Sequence, residues 1–149
     1  MLTLLMPYFL FVAALVSPRN EPASYGDLTV FISNVKAPKG EVAIALYKSQ
    51  QTFLVKKQQA YLKRGVISST GTVRMQFDDL PHGEYAIAIY HDVNNNKELD
   101  KNMMGIPSEP YGFSNNIVPT FRVPTFDEAR FSFQETTSSL TIRLQSWRL

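Results

Sequence analysis

An all-β fold, a β-sandwich of roughly six or seven short strands, is what the sequence predicts. Three observations lead there. From Gly26 onward, apolar residues alternate with polar or small ones. Turn-forming Pro and Gly separate the alternating runs, and no long run carries helical spacing.

Taken in order, "LTVFIS" puts Leu28, Val30 and Ile32 on one face, and "EVAIALYK" does the same with Val42, Ile44 and Leu46. The turn between them, "APKGE", has Pro38 followed two residues later by Gly40, which suits a tight reversal. "SQQTFLVKKQQAYL" is expected to hold one short helix, with Phe53, Leu54 and Tyr61 packing inward, and a strand is expected around Leu62 to Ile67. "STGT" turns the chain into "TVRMQF", where Val73, Met75 and Phe77 face in and Thr72, Arg74 and Gln76 face out. "DLPHGEY" turns it again into "EYAIAIYH", with Tyr85, Ile87 and Ile89 on one side and small Ala86 and Ala88 on the other. "ARFSFQ" and "LTIRLQ" close the pattern with Phe131 and Phe133, then Leu140, Ile142 and Leu144.

The chain has 149 residues, single-domain size and enough for a core without cross-links. An apolar fraction of 44% and a charged fraction of 19% describe a globular protein. Fifteen Lys+Arg against 13 Asp+Glu leave +2, too small an excess for a nucleic-acid binder. With Cys 0, disulfides, thiol catalysis and a lipoprotein anchor are excluded.

The N-terminus reads differently. "MLTLLMPYFLFVAALVS" is apolar and short for a membrane span, which needs roughly 20 residues. It is expected to be a secretory signal within residues 1–23, leaving one β-sandwich domain over 24–149, an exported (periplasmic or secreted) location and no stable membrane span in the mature chain.

One region breaks the rhythm. From Asp92 to about Pro124 no strand or helix is evident, and connections beyond about 12–15 residues are usually functional or disordered. Met103, Met104, Ile106, Tyr111, Phe113, Val118 and Phe121 argue for order. The segment opens with "HDVNNNKELD", where Asp92, Asn94, Asn96, Glu98 and Asp100 put an oxygen at every second position. A chain curling around a hard ion turns alternate residues inward, and Ca²⁺ takes six to eight oxygens in a flexible shell. Counting from Asp92, the residues stand at positions 1, 3, 5, 7 and 9 of an EF-hand-like loop, the seventh giving a backbone carbonyl. The sixth position calls for Gly and holds Lys97, the twelfth calls for Glu and holds Met103, and Glu109 is a candidate substitute. Few charges place such a site near the roughly 10⁻⁴–10⁻³ M affinities of extracellular modules. The alternative is a polar turn after a strand.

Other candidates are plainer. His91 reads as a satisfied, partly buried histidine and His82 as an exposed turn residue. Asp78 and Asp79 are adjacent and would point to opposite faces of a strand, which does not suit an acid/base pair. Lys56, Lys57, Lys63 and Arg64 read as a solvated face. No G-x-S-x-G elbow or phosphate cradle occurs, and a non-enzymatic protein is expected. In "EPYGFSNN", Tyr111, Phe113, Ser114, Asn115 and Asn116 suit a recognition loop for a protein, peptide or glycan, or a plug that packs the loop onto the sandwich.

"LPHGEYAIAIYHD", "DVNNNKELDKNMMGIPSEPYGFSNN" and "PTFDEARF", in that order, resemble the domain of unknown function 2141 family of exported bacterial proteins, over roughly Asp27 to Leu144. The resemblance implies an Ig-like or prealbumin-like β-sandwich outside the cytoplasm, with no assigned activity. Asp92, Asn94, Asn96, Leu99 and Asp100 match the family's loop, which carries Gly where Asn95 and Lys97 stand here. Three functions remain open: an exported binding or accessory module with weak structural Ca²⁺, a purely structural assembly domain without metal, and an enzyme with a site near His91 and Asp92.

Overall fold

The computed structural model describes residues 24–147. The expected signal segment lies outside them. Eight strands form: β1 (Tyr25–Val35), β2 (Glu41–Tyr47), β3 (Tyr61–Val66), β4 (Gly71–Pro81), β5 (Gly83–Asp92), β6 (Tyr111–Phe113), β7 (Arg130–Phe133) and β8 (Thr137–Arg143). A 3₁₀ turn, Ser114–Asn116, and a short helix α1, Phe126–Ala129, stand between β6 and β7.

The strands make two sheets. One has the order β4–β1–β8, with β8 parallel to β1. The other runs β3–β2–β5, and the far side of β5 is shared: β6 pairs with residues 88–90 and β7 with residues 83–86. The all-β sandwich stands. Six of the eight strands cover runs that alternate in the sequence; β3 matches the strand expected around Leu62 to Ile67, and β6, three residues long, arises inside the stretch expected to lack regular structure.

The alternating faces meet between the sheets. Leu28, Val30, Ile32, Val42, Ile44, Leu46, Tyr85, Ile87 and Ile142 are fully buried there, with Met75, Phe77, Phe133 and Leu144. Each such side chain contributes roughly 1.5–3 kcal/mol relative to exposure. The opposite face of the second sheet has its own cluster. Ala86 and Ala88 of β5 leave space that Phe53, Phe113 and Phe126 fill, with Phe53 edge-on to Phe126 at 6.1 Å. This layer positions the loops that follow.

Two close approaches require glycine. A Cβ on Gly112 would lie 2.9 Å from Ile142 Cγ2 and 3.0 Å from the Arg143 carbonyl, so its absence lets β6 meet β8. There Tyr111 and Gln145 exchange backbone hydrogen bonds of 2.9 and 2.8 Å, tying the sheets together. Gly40, at φ 78°, would place a Cβ 2.1 Å from the Asp92 carbonyl. The β1–β2 turn therefore rests directly on the end of β5.

The structure corrects several expectations. The segment between β2 and β3 makes turns, not a helix: Phe53 N–H reaches the Ser49 carbonyl at 3.0 Å, then Leu54 (φ 61°) and Lys57 (φ 65°) go left-handed and stop propagation. Phe53 is buried as expected, whereas Leu54 and Tyr61 are only half-buried. His82 is half-buried, its ring edge-on to Phe133 at 5.4 Å. Met103, Met104, Val118 and Phe121 do not order the long excursion, because all four are exposed. Among the described residues no helix is long and apolar enough to cross a membrane.

Candidate functional site: the polar loop after β5

The excursion from Asp92 to Pro110 is closed in nested layers. At its base His91 N–H donates to the Pro110 carbonyl at 2.8 Å. Next, the buried Glu109 carboxylate spans the loop, accepting Val93 N–H at 2.8 Å and Asp100 N–H at 3.1 Å. Ser108 N–H reaches the Asp100 carbonyl at 2.9 Å. Beyond it, Asn102 Oδ1 accepts the amides of Met104 and Ile106 at 2.9 and 3.0 Å, shaping a small hairpin whose tip exposes Met103 and Met104. Buried backbone groups need partners, and side-chain oxygens supply them here.

Within this frame lies the 92–100 loop. Asp92 is fully buried; its Oδ1 accepts Asn96 N–H at 3.1 Å and its Oδ2 accepts Lys97 N–H at 2.7 Å. Asn94 Oδ1 also accepts Asn96 N–H at 3.1 Å, and Asn96 Oδ1 accepts Glu98 N–H at 2.9 Å. Asn94 and Asn96 thus each cap the backbone two residues on, the Asx turn that coils a loop, while Asp92 caps it four and five residues on. Asn95 (φ 60°) and Lys97 (φ 66°) both adopt the left-handed region. Lys97 therefore takes the conformation for which glycine is favoured at the sixth position, at a cost of about 1–2 kcal/mol.

Asn94, Asn96 and Asp100 converge. Asn94 Nδ2 lies 2.7 Å from Asp100 Oδ2 and Asn96 Nδ2 lies 2.8 Å from Asp100 Oδ1. Glu98 does not join them; its carboxylate turns outward to Lys56. Among the described residues no three His, Cys, Asp or Glu side chains are placed together as a metal cage. The convergent group is one carboxylate and two carboxamides, above a turn held by Asp92. A carboxamide carries an oxygen and a nitrogen on one planar head, so rotation exchanges donor for acceptor. Such oxygens suit a hard cation.

A cation is already present beside the loop. Arg64 of β3 bonds Glu41, donates to Tyr90 Oη at 2.9 Å and to the Lys97 carbonyl at 3.2 Å, and sits 3.7 Å from Asp92 Oδ2. The basic cluster is therefore not merely a solvated face: Arg64 and Lys56 both hold this loop. The register explains the reach. Arg64, Ala43 and Tyr90 lie in one row across β3, β2 and β5, and Ala43 is small enough for the guanidinium to pass over it. Strand pairing carries that signal; the linear sequence alone does not.

His91 is 1% exposed, with Nε2 2.7 Å from the Lys39 carbonyl. A carbonyl oxygen can only accept, so Nε2 carries a proton there; Nδ1 has no partner among the described residues.

In "YGFSNN", Tyr111, Phe113 and Ser114 are buried against the sheet, whereas Asn115 and Asn116 are exposed. Ser114 Oγ accepts Ile87 N–H at 2.9 Å and donates to the Ala129 carbonyl, filling the gap on β5 between β6 and β7. Asn115 Nδ2 donates to the carbonyls of Glu128 and Arg130 at 2.9 and 3.0 Å. Asn116 receives Arg143 N–H at 2.7 Å and donates to the Thr141 carbonyl at 3.0 Å, standing where another strand's peptide group would pair with β8.

A family model described as an uncharacterized protein conserved in bacteria (DUF2141) matches residues 30–141, which contain this loop and all the strands except Tyr25 to Thr29 of β1 and Ile142 to Arg143 of β8. The chain belongs to the DUF2141 family. As a DUF2141 member it shares an uncharacterized domain, which brings no activity to the Asp92–Asp100 loop. No curated protein and no solved structure matches the chain.

Proposed function

We propose that this DUF2141 chain is an exported, non-enzymatic binding or accessory module whose 92–100 loop takes up Ca²⁺ weakly and stiffens the excursion it begins. One observation carries the reading: the Asn94 and Asn96 carboxamides meet at the Asp100 carboxylate within a loop coiled by Asp92. Asp100 supplies a carboxylate, the two asparagines supply oxygens once their heads rotate away from Asp100 and release the Asn96 and Glu98 amides, and the Glu98 carbonyl stands at the seventh position. Export is supported by the apolar run Met1–Ser17. A non-catalytic role is supported by the enclosure of His91, which leaves no reactive nitrogen facing solvent. The module's own ligand is a protein, peptide or glycan.

A second reading, an ion-independent structural domain, is favoured by Arg64, whose guanidinium bonds the loop and offsets Asp92. Calorimetric melting with and without Ca²⁺ separates the two. A cation bound by the native state alone raises the melting temperature, and Asp100→Ala abolishes the rise. Identical melting curves at millimolar Ca²⁺ leave the ion-independent domain.

A further inference from the structure

The segment leaving the 3₁₀ turn carries a conspicuous exposed apolar surface. Val118, Phe121 and Val123 are 69%, 96% and 63% exposed. The segment is nevertheless anchored. Gln145 Nε2 holds the Ile117 carbonyl at 2.8 Å, Pro124 is buried, and Arg122 grips Glu128 through two bonds of 2.8 and 2.7 Å. A groove of about 570 Å³ runs beside it, with Val118, Pro119 and Thr120 as one wall and Asn34, Lys36 and Arg143 among its other lining residues. Lys36 and Arg143 are exposed and make no ion pair among the described residues, and no carboxylate lines the groove.

We propose that this face rests on an anionic lipid surface. Phe121, with Val118 and Val123, enters the boundary between headgroups and acyl chains, while Lys36 and Arg143 meet the lipid phosphates. The occupant follows from what the groove leaves free. Its Asn34, Asn116 and Gln145 carboxamides already bond backbone groups, so few polar contacts remain to read a peptide. Val118 stands beside the unpaired cations, and Phe121 lines the adjoining hollow, where Arg122 neutralises Glu128; such a surface needs only a fluid, negatively charged layer. This inference does not depend on Ca²⁺ at the 92–100 loop.

The test uses the full chain, with readouts confined to the tip because the apolar run Met1–Ser17 could itself bind lipid. F121W in a W147F background places the single indole at the tip. With vesicles of phosphatidylglycerol and phosphatidylcholine, its emission shifts to the blue and is quenched by brominated acyl chains; pure phosphatidylcholine leaves it unchanged. K36Q/R143Q lowers partitioning roughly thirtyfold, the two cations acting together. An indole that stays unquenched while the chain floats with vesicles overturns the proposal, as does quenching of the tip indole that K36Q/R143Q leaves unchanged. Preferential binding of soluble polyglutamate over vesicles overturns it in favour of an acidic protein partner.

Discussion

Asp92 accepts the Lys97 amide at 2.7 Å, and that bond holds Lys97 in the left-handed region at φ 66°. A buried carboxylate thus enforces a backbone conformation that the side chain above it disfavours. Lys97→Gly removes the steric conflict and leaves the Asp92 bond and the Arg64 contact to the Lys97 carbonyl in place. The variant is expected to be more stable by up to about 1 kcal/mol, after the greater chain entropy of glycine is offset, as read from urea unfolding.

Arg64 bonds the loop through a planar fork that reaches Tyr90 and the Lys97 carbonyl together. Arg64→Ala leaves Asp92 fully buried with only backbone donors and is expected to cost about 2–4 kcal/mol. Arg64→Lys restores charge but not the fork, so it should recover less than half of the loss in the same unfolding measurement.

How much of this was legible in the sequence differs between core and loop. Leu28, Val30, Ile32 and their counterparts in β2 and β5 were placed correctly because a half-buried strand must alternate, and alternation survives in one dimension. The burial of Tyr111 and Phe113 was legible only as one of two alternatives, a plug or a recognition loop. Their burial depends on Ala86 and Ala88 across the sheet and on Gly112 against Ile142, contacts set by topology. The loop divides likewise: the spacing of Asp92, Asn94, Asn96 and Asp100 showed its coil, whereas Glu109, a candidate ion ligand in the sequence, accepts the Val93 and Asp100 amides instead. Arg64 was missed because only the row through Ala43 brings it near.

Ser114 replaces a missing strand partner. Its hydroxyl serves both the Ile87 amide and the Ala129 carbonyl, and it is 1% exposed. Ser114→Ala orphans both groups away from water. A loss of about 1–3 kcal/mol is expected, together with faster hydrogen exchange at the Ile87 amide.

Glu128 titrates low. Its bonds to Arg122, then to the Thr125 backbone and side chain, hold its carboxyl at about 2 against an ordinary 4.5. A depressed folded value means the contribution is fully present above about 4.5 and is lost as pH falls toward about 2. Arg122→Ala should raise the midpoint toward the ordinary value in a carbon-detected NMR titration, with the Thr125 bonds still holding it below that value. The effect on global stability is small because the pair is exposed.

The convergence of Asn94 and Asn96 on Asp100 is tested most directly by following their side-chain carboxamide resonances during a Ca²⁺ titration of the folded protein. Both pairs of signals should move together and saturate with a dissociation constant of roughly 10⁻⁴–10⁻³ M, as the heads rotate their oxygens toward the ion. Resonances that stay fixed to about ten times that concentration range would contradict the account and leave Arg64 and Lys56 as the cations that hold the loop.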